Sequence, residues 1–267
     1  MTPTLWAQRN GATLQDVQTS FKEKLLRGDL LIGTLVSLPC PEIAEIFCRA
    51  GFDWLFVDLE HSALGIRDAQ IILQAAAPRV PCLIRVPGAD DTWIKKALDT
   101  GAEGIIAPMV QTAEQAEMLV HCCRYPPQGR RSVGIARAQR YGPGFQEYVD
   151  TANDRVCLII QIEHIQAVEN IEKLLAVPGI DGLFVGPYDL SASMGRTGEV
   201  THPDVEQAIA RVRKCARQAG LPLGIFGASA QAVQPHIRHG FTLIAVGLDT
   251  ALMAGAAEKI TATLKST

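Results

Sequence analysis

No apolar run in this 267-residue sequence approaches the roughly 18 residues needed to cross a membrane. Its first residues, MTPTLWAQRNGATLQ, show no cationic start leading into a long apolar stretch, so a secretory signal is not expected. Lysine and arginine form no blocks, and 25 of them stand against 28 acidic residues, for a net charge of −3. That balance argues against nucleic acid or a membrane surface as a partner. The cysteines are odd in number, seven, and none are spaced C-x-x-C. Most sit in apolar stretches, where cysteine behaves as a small hydrophobe, so neither a zinc ribbon nor a disulfide framework is expected. The expected compartment is a reducing cytoplasm. Also absent are a G-x-S-x-G elbow, a G-x-G-x-x-G turn after a strand and a P-loop, which removes support for a serine hydrolase or a nucleotide site.

What is present is a regular alternation. Short β-branched runs at 30–38, 54–59, 82–86, 104–110, 156–163, 182–187, 221–227 and 242–248 read as eight strands. They are continuously apolar, as parallel strands covered on both faces are. Amphipathic helices separate them. The clearest is PDVEQAIARVRKCARQAG, with Pro203 in the first turn, Gly220 as the stop and an apolar stripe of Val205, Ile209, Val212 and Ala216. Eight β-α units without a shift in composition point to one (β/α)8 barrel over residues 21–267, preceded by an extension over 1–20. A doubly wound open sheet is the competing architecture. One connection, 126–155, is long and rich in Gly, Pro and Arg, as functional loops or subunit contacts are.

The ionisable residues fall at the C-terminal ends of these strands. DWLFVDLEHS ends in Asp58, Glu60 and His61, CLIRV in Arg85, and VCLIIQIEH in Gln161, Glu163 and His164; GLFVGPYDLSASMG runs into Asp189. Barrel enzymes place their active sites on that face. Schiff-base chemistry needs a lysine in the barrel mouth, and every lysine here lies in a helical or terminal segment. What remains is the carboxylate pair Glu163 and Asp189 with an arginine and a histidine nearby. Two carboxylates suit Mg²⁺ or Mn²⁺, which act as Lewis acids on a carbonyl. Arg85 would supply positive charge where an enolate oxygen develops. Beyond Gly186-Pro187 a short helix is expected, whose first N–H groups, at Tyr188 and Asp189, would hold the carboxylate of a 2-oxo acid.

Several of these motifs together resemble one family. FDWLFVDLEH, RYPPQGRRSVG, QIE, IDGLFVGPYDLSASMG, HPDVEQAI and FTLIAVGLDT, in order from about residue 20 to the C-terminus, are similar to the class II pyruvate aldolases of the HpcH/HpaI family. Members of that family include 4-hydroxy-2-oxoheptanedioate and 2-dehydro-3-deoxyglucarate aldolases. The resemblance implies a metal-dependent barrel lyase. It would reversibly cleave 4-hydroxy-2-oxo acids to pyruvate and an aldehyde through a metal-stabilised enolate, with Mg²⁺, Mn²⁺ or Co²⁺ as the ion. By motif, His61 matches the general base, Arg85 the enolate-stabilising arginine, and Glu163 and Asp189 the metal ligands. Gln161 matches a substrate contact, and Asp99 an acidic residue that raises the basicity of the histidine. From the residues alone Asp99 is only a helix-end carboxylate. The family is typically hexameric with exchanged C-terminal helices, which gives residues 249–265 a part in assembly.

The chain also departs from the family pattern. Leu59 replaces a glycine, Tyr188 replaces a small residue before Asp189, Leu35 stands where tryptophan is common, and Phe226 occupies the position matching the aldehyde pocket. These departures are expected on the acceptor side, which leaves the aldehyde open. Glu60 reads equally as a loop residue or as a group reaching the metal through water. Arg124, Arg130 and Arg131 read as binders of a distal substrate carboxylate or as ordinary loop charges. His202 is expected to cap a helix. The rival functions are an acyl-CoA lyase of the related citrate lyase-like branch and a non-catalytic barrel that binds an oxo acid.

Overall fold

The computed structural model describes residues 19–266. Eight parallel strands close into a barrel in chain order: β1 Leu31–Val36, β2 Trp54–Asp58, β3 Cys82–Arg85, β4 Gly104–Ala107, β5 Cys157–Ile162, β6 Gly182–Val185, β7 Leu223–Gly227 and β8 Leu243–Leu248. The expected (β/α)8 barrel is the observed fold, and the open-sheet alternative falls. The expected extension over 1–20 lies, up to residue 18, outside the described residues. Ser20 then caps α1 (Phe21–Arg27) in a reciprocal bond with Glu23.

Cross-strand register explains why the barrel closes on a solid core. Gly33 of β1 pairs with Trp54, and Gly224 of β7 pairs with Phe184. A Cβ on Gly33 would lie 2.5 Å from the Trp54 indole, and one on Gly224 would lie 2.5 Å from the Phe184 ring. Each glycine is thus the space that its bulky neighbour fills. Trp54, Phe56 and Phe184 meet ring to ring at centroid distances of 5.7–6.4 Å. Below them, Phe21 and Leu25 of α1 join the same interior cluster and close the N-terminal end of the barrel.

The outer layer packs the opposite strand faces against helices. These are α2 Pro41–Ala50, α3 Ile66–Ala76, α4 Asp91–Asp99, α5 Ala113–Cys123 and α6 Phe145–Arg155, then α7 Ile165–Glu169 and α8 Ile171–Leu175. After them come α9 Pro187–Ser193, α10 Pro203–Ala219, α11 Ala230–Arg238 and α12 Asp249–Lys265. In α10, Val205, Ile209, Val212 and Ala216 are buried as their spacing predicts, and His202 caps the first turn by accepting from the Asp204 N–H. Leu59 lies in this outer layer, so it is not on the acceptor side of the mouth. The reason is strand alternation: Asp58 points inward, and its successor points out.

The connection 126–155 also differs from expectation. Its last eleven residues form α6, whose polar sequence buries only Ala152 and so carries a weak periodic signal. The rest lies at the N-terminal end of the barrel, where Arg137 donates to the Thr100 and Leu73 carbonyls. Among the described residues no helix is long and apolar enough to cross a membrane.

Gly33→Ala should destabilise the fold by about 1–3 kcal/mol, the usual cost of overpacking a filled core. Trp54 cannot readily yield, because its Nε1 donates to the Leu31 carbonyl. Urea denaturation of the two proteins measures the difference, and equal midpoints would contradict the packing account.

Candidate active site

Asp58 and Arg85 are register partners at the ends of β2 and β3. Both are buried, and they meet two-pronged: Arg85 Nε donates to Asp58 Oδ1 at 2.8 Å and Nη2 to Oδ2 at 2.6 Å. Asp58 Oδ1 also accepts from the N–H groups of Glu60 and His61, at 3.0 and 3.3 Å. One carboxylate therefore fixes the arginine and folds the turn that carries the next two ionisable side chains. Burial alone would raise the Asp58 carboxyl. The Arg85 guanidinium and the two N–H donors outweigh burial and hold it below the usual carboxylate range.

The guanidinium keeps one arm free of this pair. Nη1 faces Gln161 Oε1 at 3.4 Å, while the guanidinium carbon sits 5.2 Å from the centre of the Phe56 ring. Gln161 in turn donates from Nε2 to Glu163 Oε2 at 2.5 Å. Glu163 Oε1 accepts from the Met109 N–H at 2.6 Å. Met109 adopts a left-handed φ of 56°, a conformation few non-glycine residues hold, and this aims its N–H at the carboxylate. Burial pushes Glu163 up to about 7, with repulsion from Glu60 and Asp189 adding to it against the Met109 N–H and Arg85.

Asp189 and Tyr188 come from α9, the helix expected after Gly186-Pro187. Gly186 makes room for this approach, since a Cβ there would sit 3.1 Å from Glu163 Oε2. With seven residues, α9 is too short to develop a full helix dipole, and any anion would rely on single N–H groups. His61 Nε2 lies 3.7 Å from Glu60 Oε2, and its side chain is 65% exposed at the rim.

His61, Arg85, Gln161, Tyr188 and Asp189 line one cavity of about 170 Å³, with Glu163 behind Gln161. Leu35 and Phe226 form its other wall, above Phe56 and Phe184. Two groups of expected residues are not there. Asp99 ends α4 at the N-terminal end of the barrel, paired with Arg131 at 2.8 Å, so within one chain it does not reach His61. Arg124 pairs with Asp181 just before β6, and Arg130 contacts Cys122 Sγ at that same end. These arginines hold the floor of the barrel together and do not face the mouth. Sequence reasoning names Asp58 without a partner and passes over Met109. Register could have paired Asp58 with Arg85, but nothing in the sequence signals the Met109 backbone.

Among the described residues no three or more His, Cys, Asp or Glu side chains form a metal-holding group. Glu163 and Asp189 still suit a hard divalent cation. They repel each other, and Glu60 repels Glu163 as well. The buried Glu60 Oε2 makes no hydrogen bond, although it lies 3.2 Å from Arg85 Nε as an ion pair. All three donors are oxygens, as Mg²⁺ and Mn²⁺ prefer.

A closed parallel barrel with an arginine and several carboxylates at its C-terminal mouth is the architecture of a (β/α)8 enzyme. The chain belongs to the HpcH/HpaI aldolase/citrate lyase family, whose family model matches residues 32–256, and it is a lyase. It is 42% identical over 255 residues to a hydroxypyruvate/pyruvate aldolase of Deinococcus radiodurans, covering 94% of this chain and 92% of the relative. It is 40% identical over 249 residues to a 4-hydroxy-2-oxo-heptane-1,7-dioate aldolase of Klebsiella pneumoniae, covering 92% and 94%. A solved HpcH/HpaI aldolase/citrate lyase family protein of Burkholderia cenocepacia superposes with a TM-score of 0.88 at 35% identity, covering 92% of this chain and 99% of that one.

Asp58→Asn removes the counter-charge of a buried arginine and should cost on the order of 3 kcal/mol. Denaturant unfolding should show a lower midpoint, whereas an unchanged midpoint would mean that Glu60 alone satisfies Arg85.

Proposed function

We propose that the chain is a divalent-metal-dependent class II aldolase that cleaves 4-hydroxy-2-oxo acids to pyruvate and an aldehyde, and runs the reverse addition. The observation that carries the reading is a clamped Arg85 whose Nη1, not taken by Asp58 and held only by a long 3.4 Å contact to Gln161, lines a cavity together with His61, Gln161 and Asp189. Glu163 and Asp189 would hold Mg²⁺ or Mn²⁺, which when bound supplies Lewis acidity toward the 2-oxo group.

The remaining chemistry falls to the chain's own side chains. His61 removes the proton of the 4-hydroxyl, the C3–C4 bond breaks, and the hydroxyl oxygen becomes the aldehyde carbonyl. The electron pair left on C3 spreads to the 2-oxo oxygen as an enolate, opposite Arg85 Nη1. Protonation at C3 then gives the methyl group of pyruvate. Because Asp58 fixes the guanidinium before substrate arrives, its charge needs no reorganisation as the enolate forms. Gln161 bridges Arg85 and Glu163, holding the enolate side and the metal side in one register. The same proton movements, run without an aldehyde, exchange the methyl hydrogens of pyruvate. Assembly belongs to the same reading: α12 leaves Leu252, Met253, Ile260 and Leu264 exposed, and a homohexamer would cover them.

Proton NMR in D₂O should show deuterium entering the pyruvate methyl with Mn²⁺ or Mg²⁺ and not with EDTA. Arg85→Lys should lose that exchange, because an ammonium does not reproduce the two-pronged contact with Asp58 together with a third arm at the cavity. Exchange that ignores EDTA, or that survives in the variant, would overturn the mechanism.

Glu163 gives a second test. Its folded value, about 7, lies above its ordinary 4.5, so the stability from its neutral form is full below 4.5 and is lost as pH rises through about 7. Above that, the buried charge is a burden that a cation relieves; below it, protons compete with the metal. The rise in Tm on adding Mn²⁺ should therefore grow between pH 6 and pH 8. A rise independent of pH would argue against Glu163 as a ligand.

A further inference from the structure

The barrel mouth is divided by chemistry along the order of its strands. His61 follows β2, Arg85 ends β3, Gln161 lies on β5 and Asp189 follows β6, so the polar arc lies within the β2 to β6 side of the barrel. The facing wall is made by Phe226 of β7 and Leu35 of β1, with the rings of Phe56 and Phe184 beneath. Among the described residues lining the cavity, Arg85 is the one lysine or arginine. Its Nε and Nη2 are taken by Asp58. Asp249, beside the end of β8, is occupied as well, since its carboxylate accepts from Ser37 and Leu38. The other acidic side chains at the mouth are Glu60, Glu163 and Asp189, and His61 at the rim sits on the polar arc, away from Phe226 and Leu35 in strand order.

We propose that the aldehyde partner of this enzyme is a short uncharged aldehyde, selected by Phe226 and Leu35, and that aldehydes bearing a second carboxylate are excluded. This rests on the aldolase reading and adds the substrate class to it. In the addition direction the methyl carbon of pyruvate gives up a proton and forms a bond to the aldehyde carbon, while the aldehyde oxygen takes up a proton. Nothing is oxidised or reduced. The polar arc handles all of those atoms, so the rest of the aldehyde is left to lie on Phe226 and Leu35. A carboxylate placed there would lose its hydration against two apolar side chains, with no lysine or arginine on that wall and Arg85 across the cavity already paired with Asp58 and Glu60. A methyl group in the same place is simply buried. The cavity volume, about 170 Å³, is well below the roughly 300–1,000 Å³ of sites for drug-sized ligands, which limits the aldehyde to a few carbons.

Butanal and succinic semialdehyde make a matched pair, four carbons each, differing in a terminal methyl against a terminal carboxylate. With pyruvate and Mn²⁺ held saturating, kcat/KM for butanal should exceed that for succinic semialdehyde by at least about tenfold. Phe226→Arg should shift the ratio toward succinic semialdehyde. The wild-type ratio decides the question even if that variant fails to fold. A ratio at or below one overturns the proposal and points to a cation brought to the mouth by a second copy of the chain. Deuterium exchange into pyruvate alone separates the two failures. Exchange with the wrong ratio removes only the aldehyde class, while no exchange and no addition removes the aldolase reading with it.

Discussion

The Asp58–Arg85 pair is the constraint on which the mouth of this barrel depends. A buried ion pair is costly to desolvate, and it persists here because every strong donor nearby has an acceptor. Arg85 spends two of its arms on Asp58, and Asp58 spends its spare lone pair on the turn through Glu60 and His61. The pair sits at a register position of adjacent parallel strands, so the sheet itself sets the distance between its members. The third arm of the guanidinium reaches Gln161 at the cavity and has no freedom to swing away. Gln161, Glu163 and the Met109 N–H continue the same network across to β5 and the loop after β4.

That network holds an unresolved tension. Glu60, Glu163 and Asp189 bring like charge together in a place where water is scarce, and Glu163 answers by holding a proton more tightly than usual. Arg85 is shared between Asp58 and Glu60, so it offsets only part of the remaining charge. In the proposed mechanism a divalent cation resolves this. The strained backbone at Met109 has the same origin, because it supplies one N–H donor to a carboxylate that would otherwise be short of partners.

The sequence carried the barrel clearly, because parallel strands buried on both faces leave continuous apolar runs and the helices between them leave periodic ones. It also carried the position of the polar residues, since strand ends are visible as the places where those runs stop. It could not carry pairing. Asp58 stands two residues from Glu60 and three from His61, and only register shows that its partner is Arg85 rather than either neighbour. Asp99 and Arg131 look like site residues by motif or by charge, yet the chain returns both to the far end of the barrel, where they bind each other. Tyr148 of α6 packs against Arg131 from within a stretch whose polarity reads as loop. Met109 left no trace at all, because a backbone N–H is the same for every residue type and only the fold aims it.

The plug formed by α1 has a consequence for traffic. With Phe21 and Leu25 set under the aromatic core, the barrel is a cup with a filled base and not a tube. Nothing can pass through it, so whatever enters at the rim must leave at the rim. For a cleavage that makes two products in one small chamber, departure is then a queue: the fragment nearer the opening has to go before the one beneath it. In the proposed reaction the fragment held deepest, against Arg85 and Gln161, would be pyruvate, and the order of the queue would be written into the kinetics as an ordered release with the aldehyde first.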